Sequence, residues 1–199
     1  MNRLMMGLRI GQNLTEKEII TGCLKGDNKS QRYLYDRYAP IMLTVCRRYI
    51  KDQGIAEEIM IKGFTLVFDK LDQFRMEGSF EGWIRRIMVN ESLGWLRKNR
   101  NMYLEVDIDE ANRELYVEQI STVLHAEELM RMINELPQGY RTVFNLYAIE
   151  GYSHMEIAEK LGISVNTSKS QLSRARSYLQ KQLLEIEKSL NAKRIGNGS

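Results

Sequence analysis

Residues 153–164 read Ser-His-Met-Glu-Ile-Ala-Glu-Lys-Leu-Gly-Ile-Ser, and the fold follows from how such a stretch must be built. Ser153 with Glu156 three residues on is a capping box, which satisfies two of the amides left unpaired where a helix starts. Ala158 is small where a second helix has to cross closely, and Gly162, four residues later, tolerates the positive φ of a tight turn. Ser164 is placed to cap the helix that follows. This is the grammar of a helix-turn-helix, whose second helix enters the major groove of DNA. An ordinary helical hairpin in a core shares the alanine–glycine spacing, so the DNA reading rests on cap, turn and basic outer face together. On the second helix, expected from Ser164 to about Leu184, Leu172, Ala175 and Leu179 point inward at helical spacing. Lys169, Ser170, Gln171, Ser173 and Arg174 are left on outer faces, able to reach bases or phosphates. Ser168 falls where these motifs usually bury an aliphatic residue; a hydroxyl there can bond back to a preceding carbonyl but is expected to pack less well.

Upstream of this motif, a helix holding Leu129, Met132, Ile133 and Leu136 ends at Pro137. The next carries Tyr140, Val143, Phe144 and Tyr147 and stops at Gly151. The amino-terminal half is also helical. Thr15 and Glu18 form a second capping box, opening a helix through Ile19, Ile20, Cys23 and Leu24. Leu34, Tyr38, Ile41, Met42, Val45 and Tyr49 mark a longer one that runs through Pro40, where a cost or a kink is expected. A third runs from about Ile55 to Leu71, and a fourth from Phe80 through Trp83, Ile84 and Ile87 to about Lys98. The expected fold is all-α: two helical domains, over 13–100 and 125–188, joined by an acidic linker over 101–124. Short tails, 1–12 and 189–199, flank them, the second small, polar and frayed.

Charge is arranged more tellingly than its total of +3 over 199 residues. Arg85, Arg86, Arg97, Lys98 and Arg100 face the single acid Glu91, and Lys169, Arg174, Arg176 and Lys181 form a second basic group. Between them Glu105, Asp107, Asp109, Glu110, Glu114 and Glu118 outnumber Arg113. Two basic lobes around an acidic connector suit a polyanion gripped at two places, although solvated helix faces produce similar runs. Cys23 and Cys46 lie in apolar helical patterns without metal-ligand spacing, as expected of buried thiols in a reducing cytosol. His125 and His154 stand alone, so no metal, cofactor or catalytic constellation can be assembled. Neither a signal peptide nor a run near the ~20 apolar residues of a bilayer span is visible, so a cytoplasmic, non-membrane protein is expected.

Residues 135–141, Glu-Leu-Pro-Gln-Gly-Tyr-Arg, with Phe144, Gly151-Tyr152-Ser153, the helix-turn-helix and Ser173-Arg174-Ala175-Arg176, strongly resemble the fourth-region domain of extracytoplasmic-function (ECF) sigma factors of the sigma-70 family. The first half resembles that family's second-region domain. Residues 33–38, Tyr-Leu-Tyr-Asp-Arg-Tyr, are similar to its start, and Ala56-Glu57-Glu58-Ile59 with Phe64 to its polymerase-binding helix. Phe74-Arg75, Ser79-Phe80, Trp83-Ile84, Arg86-Ile87, Asn90 and Leu96-Arg97-Lys98 are similar to its melting and minus-ten segment. The resemblance implies a non-enzymatic specificity subunit that takes RNA polymerase core to promoters. Phe74, the loop through Ser79, and Asn90 would hold a flipped minus-ten base, while Arg85, Arg86, Arg97 and Lys98 hold phosphates. The helix with Lys169, Ser170, Gln171, Ser173 and Arg174 would read the minus-thirty-five element. It also implies that Glu57, Glu58, Ile61, Lys62 and Phe64 line the helix that docks on the polymerase clamp, with the flap as a second contact. Ile61 and Lys62 depart from the family's usual glutamine and acid, which puts the strength of that contact in question. An anti-sigma protein, often membrane-bound, is a further implied partner.

Phe80, Trp83 and Ile84 share one face, which a plain core stripe also explains, and that leaves Phe74 as the better aromatic for a base. A self-sufficient DNA-binding regulator would share the second half of the chain, but would bind duplex operator unaided, as a dimer on a palindrome.

Overall fold

The computed structural model describes residues 14–99 and 126–196. Every regular element among them is helical: α1 (Glu16–Leu24), α2 (Asn28–Tyr49), α3 (Gln53–Asp69), α4 (Phe80–Lys98), α5 (Ala126–Glu135), α6 (Gln138–Phe144), α7 (His154–Leu161) and α8 (Val165–Gly196). A 3-10 turn, Leu71–Gln73, follows α3, and a π-helical turn, Asn145–Ile149, extends α6. The expected linker, with its acids, and the first tail lie outside the described residues, as does His125.

The helix starts are set by side chains readable in the sequence. Thr15 accepts from the Glu18 amide while Glu18 accepts from that of Thr15, at 3.3 and 2.8 Å. Asp27, Asp52 and Ser79 cap α2, α3 and α4. Pro40 does not break α2, which runs unbroken from Asn28 to Tyr49; the ring lies on the exposed side of the helix. At the other end of the chain α8 continues to Gly196, beyond the start of the predicted frayed tail, through Ala192, Lys193 and Arg194, which are good helix formers.

Helices α1–α4 pack around Leu34, Met42, Val67, Phe80, Ile84 and Met88, all essentially inaccessible to solvent. Cys23 and Cys46 are free thiols in this core, both pushed up to about 11 by burial. Helices α5–α8 enclose Met132, Ile133, Leu136, Ala175 and Leu179, while Leu129 of α5 is 40% exposed.

The two units are in contact, and the contact is polar at its centre. Helix α2 ends at Tyr49, where its last carbonyls lack partners within the helix. Helix α6 and the π turn supply them. Gln138 Nε2 and Arg141 Nη2 donate to the Tyr49 carbonyl at 3.0 and 3.2 Å, and Asn145 Nδ2 donates to that of Arg48 at 3.0 Å. Arg141 and Asn145 are both 0% exposed. Arg141 also donates to the Asn134 carbonyl at 3.0 Å and to Gln138 Oε1, so its buried charge is held by several acceptors. Val143, Leu146, Ile157 and Leu172 join the apolar core of the first unit around this patch.

The α3–α4 crossing is close because Gly63 has no side chain: a Cβ there would lie 2.3 Å from the Met88 sulfur. Met88 is itself fully buried, so Gly63→Ala has to displace it. Gly63→Ala is expected to lower stability by about 1–2 kcal/mol, read as a fall in the urea midpoint; an unchanged midpoint would show that the crossing has slack.

Candidate nucleic-acid interface

The helix-turn-helix forms as its sequence dictates. Ser153 and Glu156 make the reciprocal cap of α7, and Gly162, at φ 65°, ends it in the left-handed conformation. Ser164 Oγ accepts from the Thr167 amide at 2.9 Å, capping α8. Leu172, Ala175 and Leu179 are buried as expected. Lys169, Ser170, Ser173 and Arg174 are exposed along one face of α8. Gln171 is set apart from them: half-buried, it lies over α6, where a Cβ on Gly139 would come within 3.2 Å of its amide nitrogen.

Ser168 is fully buried, and its hydroxyl is engaged by a side chain. It pairs with His154 Nδ1 at 2.9 Å, linking the first turn of α7 to α8. His154 also stacks on Tyr147, with ring centroids 4.7 Å apart. Burial, then the charges of Lys169 and Arg176, hold its pKa below the usual 6.5.

On the first unit, α4 carries the second cluster of sequence-predicted residues. Asn90, Arg86, Arg97 and Lys98 are exposed, and Arg85 is half-buried and paired with Glu81 at 3.0 Å. Ser79 Oγ accepts from the Gly82 amide at 3.1 Å, so its hydroxyl is engaged as the α4 cap. The Phe74 ring is not open at the loop edge: it is 9% exposed and packs against Phe80 and Trp83, with centroids 5.0 and 5.6 Å away. Trp83 stacks on Phe80 and is half-buried, so more of its ring than of Phe74 meets solvent.

Of the residues expected on the polymerase-facing helix, Glu58, Ile61 and Lys62 are exposed, Ile61 at 56%. Glu57 accepts from Gln53 at 3.0 Å. Phe64 is core, 2% exposed and packed on Tyr35 with centroids 4.9 Å apart. Lys62 pairs with Glu91 of α4 at 2.6 Å.

A cleft of about 960 Å3 separates α4 from α7 and the turn before it. Arg85, Arg86, Asn90 and Arg97 line one wall; Glu150, Tyr152, Glu156, Glu159 and Lys160 line the other. Lys160 Nζ donates to Asn90 Oδ1 at 3.3 Å, and Arg97 Nη1 to the Lys160 carbonyl at 3.1 Å. Arg48 and Glu150 form an ion pair of 3.5 Å at its inner end, where burial raises the Glu150 pKa against the opposing pull of Arg85 and Arg48. Glu150 and Lys160 escaped the sequence reading, because their partners lie in the other unit, far away in the chain. Among the described residues no group of three or more His, Cys, Asp or Glu could hold a metal ion, and no helix is long and apolar enough to cross a membrane.

The two units match two adjacent family profiles. "Sigma-70 region 2" covers residues 34–102 and "Sigma-70, region 4" covers residues 126–179, together well over half of the chain. The chain belongs to the sigma-70 family. Its relatives put it in the ECF group. The ECF RNA polymerase sigma factor SigW of Bacillus subtilis is 28% identical over 183 residues, 85% of this chain and 97% of that protein. The ECF RNA polymerase sigma-E factor of Escherichia coli K12 is 26% identical over 186 residues, 87% of this chain and 97% of that one. The co-crystal structure of the sigma factor RpoE with the anti-sigma factor NepR from Bartonella quintana covers 78% of this chain and 97% of that chain, at 22% identity and a TM-score of 0.46. As a sigma factor, the chain serves transcription initiation and is not an enzyme.

The His154–Ser168 pair ties α7 to α8 through a group whose pKa is lowered on folding. His154 is neutral more readily folded than unfolded, so its contribution is fully present above pH 6.5 and is lost as pH falls through 6.5 toward its lower folded value. The α5–α8 unit is expected to be less stable at pH 5.5 than at pH 7.5, and His154→Gln to flatten that difference. Hydrogen exchange of the α7 and α8 amides checks it; equal acid sensitivity in the variant would count against His154.

Proposed function

We propose that this sigma factor directs RNA polymerase core to particular promoters, the α1–α4 unit opening and capturing the minus-ten element while α8 reads the minus-thirty-five element in the major groove. The observation that carries this is the pair of exposed polar-basic faces on the two family-matched units: Arg86, Asn90, Arg97 and Lys98 on α4, and Lys169, Ser170, Ser173 and Arg174 on α8. Taking a base out of the duplex stack costs a few kcal/mol, and stacking on an aromatic ring returns about 1–3 kcal/mol. Trp83, with Phe74 beneath it, offers that ring beside the Ser79 turn, and the Asn90 amide offers both donor and acceptor to a base edge. Arg85 and the exposed cations of α4 neutralise phosphates.

On α8, Arg174 and Lys169 face the groove with Ser170 and Ser173 between them, and Gln171 acts at the edge through its contact with α6. Polymerase core docks its clamp on the outer side of α3, at Glu57, Glu58, Ile61 and Lys62, with Phe64 shaping that helix from within, and its flap on the α5–α8 unit. Lys62 meets the clamp already paired to Glu91, which offsets the reversed charge at this position. The protein works beside the chromosome in the cytoplasm, under an anti-sigma partner.

Reconstitution with core polymerase and run-off transcription on genomic fragments tests the proposal. New start sites are expected only when both components are present. Lys169→Ala with Arg174→Ala should cut promoter-directed transcripts by roughly ten-fold or more, since each base contact discriminates by about 1–3 kcal/mol, and should leave core binding intact. Asn90→Ala should impair strand opening, followed by permanganate reactivity, more than closed-complex formation. Loss of core binding in the α8 variant, or equal loss of both steps in the Asn90 variant, would overturn these roles.

A further inference from the structure

Three elements of the second unit bring a histidine and two cations together without an acid. The His154 ring, in the first turn of α7, stacks on Tyr147 of the π turn, with centroids 4.7 Å apart. The Arg176 guanidinium lies over the same Tyr147 ring at 5.9 Å. Lys169 and Arg176, both on α8, each act electrostatically on His154 and oppose its charge. Neither cation is in an ion pair among the described residues. Glu156, the first acid of the same helix, is held by the Ser153 amide and hydroxyl at 2.8 and 2.7 Å. Positive groups gathered in this way, beside a helix assigned to the major groove, suit an anion brought from outside.

Ser168 decides how the imidazole is turned. Its buried hydroxyl lies 2.9 Å from Nδ1, which fixes that nitrogen inward. Nε2 has no hydrogen-bond partner among the described residues and is not buried. A hydroxyl serves both charge states of the ring: it can donate to Nδ1 of the neutral form and accept from Nδ1–H of the charged form. In both cases Nε2 carries a proton and points outward as a donor. An aliphatic side chain at this position could not orient the ring.

We propose that His154, oriented by Ser168, is a proton-linked contact to the DNA backbone: as α8 enters the groove, a phosphate sits against Nε2, Lys169 and Arg176, and the imidazole takes up a proton. The inference rests on the reading of α8 as the groove-facing helix. In the free protein partial burial, Lys169 and Arg176 keep the ring neutral. A phosphate among these groups reverses the local sign and favours the imidazolium. Acid therefore acts in opposite directions on the two states. It weakens the free α5–α8 unit and strengthens its grip on duplex DNA.

The full-length chain, His154→Gln and Ser168→Ala are each assembled with core polymerase and titrated, by anisotropy, against a fluorescein-labelled duplex of a promoter found by run-off transcription. Affinity is measured at pH 7.5 and pH 6.0 over a range of salt. Polymerase core contributes its own pH dependence equally to all three, so the comparison between chains carries the result. Between the two pH values the unaltered chain is expected to tighten roughly five-fold more than His154→Gln, as one proton is taken up. Its slope of log affinity against log salt should steepen by about 0.9, because one further cation meets a phosphate, while that of His154→Gln does not. Ser168→Ala should lose most of the gain. Should circular dichroism show that His154→Gln fails to fold, the salt slope of the unaltered chain and Ser168→Ala decide. A purely structural histidine gives the reverse sign, with acid weakening the unaltered chain more than the variant, and that result would overturn the inference. Equal pH dependence in the unaltered chain and His154→Gln would overturn it too, and a full gain in Ser168→Ala would overturn the orienting role of Ser168. These outcomes spare the promoter reading as long as the unaltered holoenzyme binds the promoter at pH 7.5; absence of that complex strikes the promoter reading itself.

Discussion

Backbone carbonyls at the end of α2 set the terms for the whole molecule. A helix that ends inside a protein must find donors for its last oxygens, and here they come from Gln138, Arg141 and Asn145, about ninety residues further along the chain. Such donors are worth having only if buried, and burying Arg141 requires that all around it accept hydrogen bonds or close off water. The apolar residues Val143, Leu146, Ile157 and Leu172 provide that closure and thereby fuse the two cores. Placement of α7 beside α4 follows from the same seating.

The helix-turn-helix unit consequently has two faces of opposite sign. Outward, α8 exposes Lys169 and Arg174; inward, Glu150, Glu156 and Glu159 line a cleft shared with Arg85, Arg86 and Arg97 of α4. Neither face explains the other, but together they let a small net charge coexist with strong local potentials. The region-2 unit is less divided: its apolar interior is continuous from Leu34 to Met88, and α4 exposes Arg86, Arg97 and Lys98 on its surface.

Much of this was legible in the residues. Capping boxes at Thr15 and Ser153, the glycine at 162 and the apolar spacings of α2, α4 and α8 are local rules, and local rules survive folding. The apolar spacing across Pro40 was legible as one helix, and α2 does run through it, with the ring on the exposed side. Phe64 and Phe74 were expected at contact positions, and their place in the core depends on partners, Tyr35 and Trp83, that periodicity does not reveal. Ser168 looked like a packing defect until His154, fourteen residues earlier, supplied the bond. Arg141 and Asn145 were the least legible: polar residues on short helices read as surface, and only the opposite unit makes them interior. Charge relations across the cleft were equally hidden, since no local pattern links Asn90 to Lys160.

Lys62 on α3 pairs with Glu91 on α4 beside the crossing that Gly63 keeps close. Ile61 on α3 and Asn90 on α4, both exposed, thus stand on two helices tied at the surface by one ion pair and in the core by one close contact.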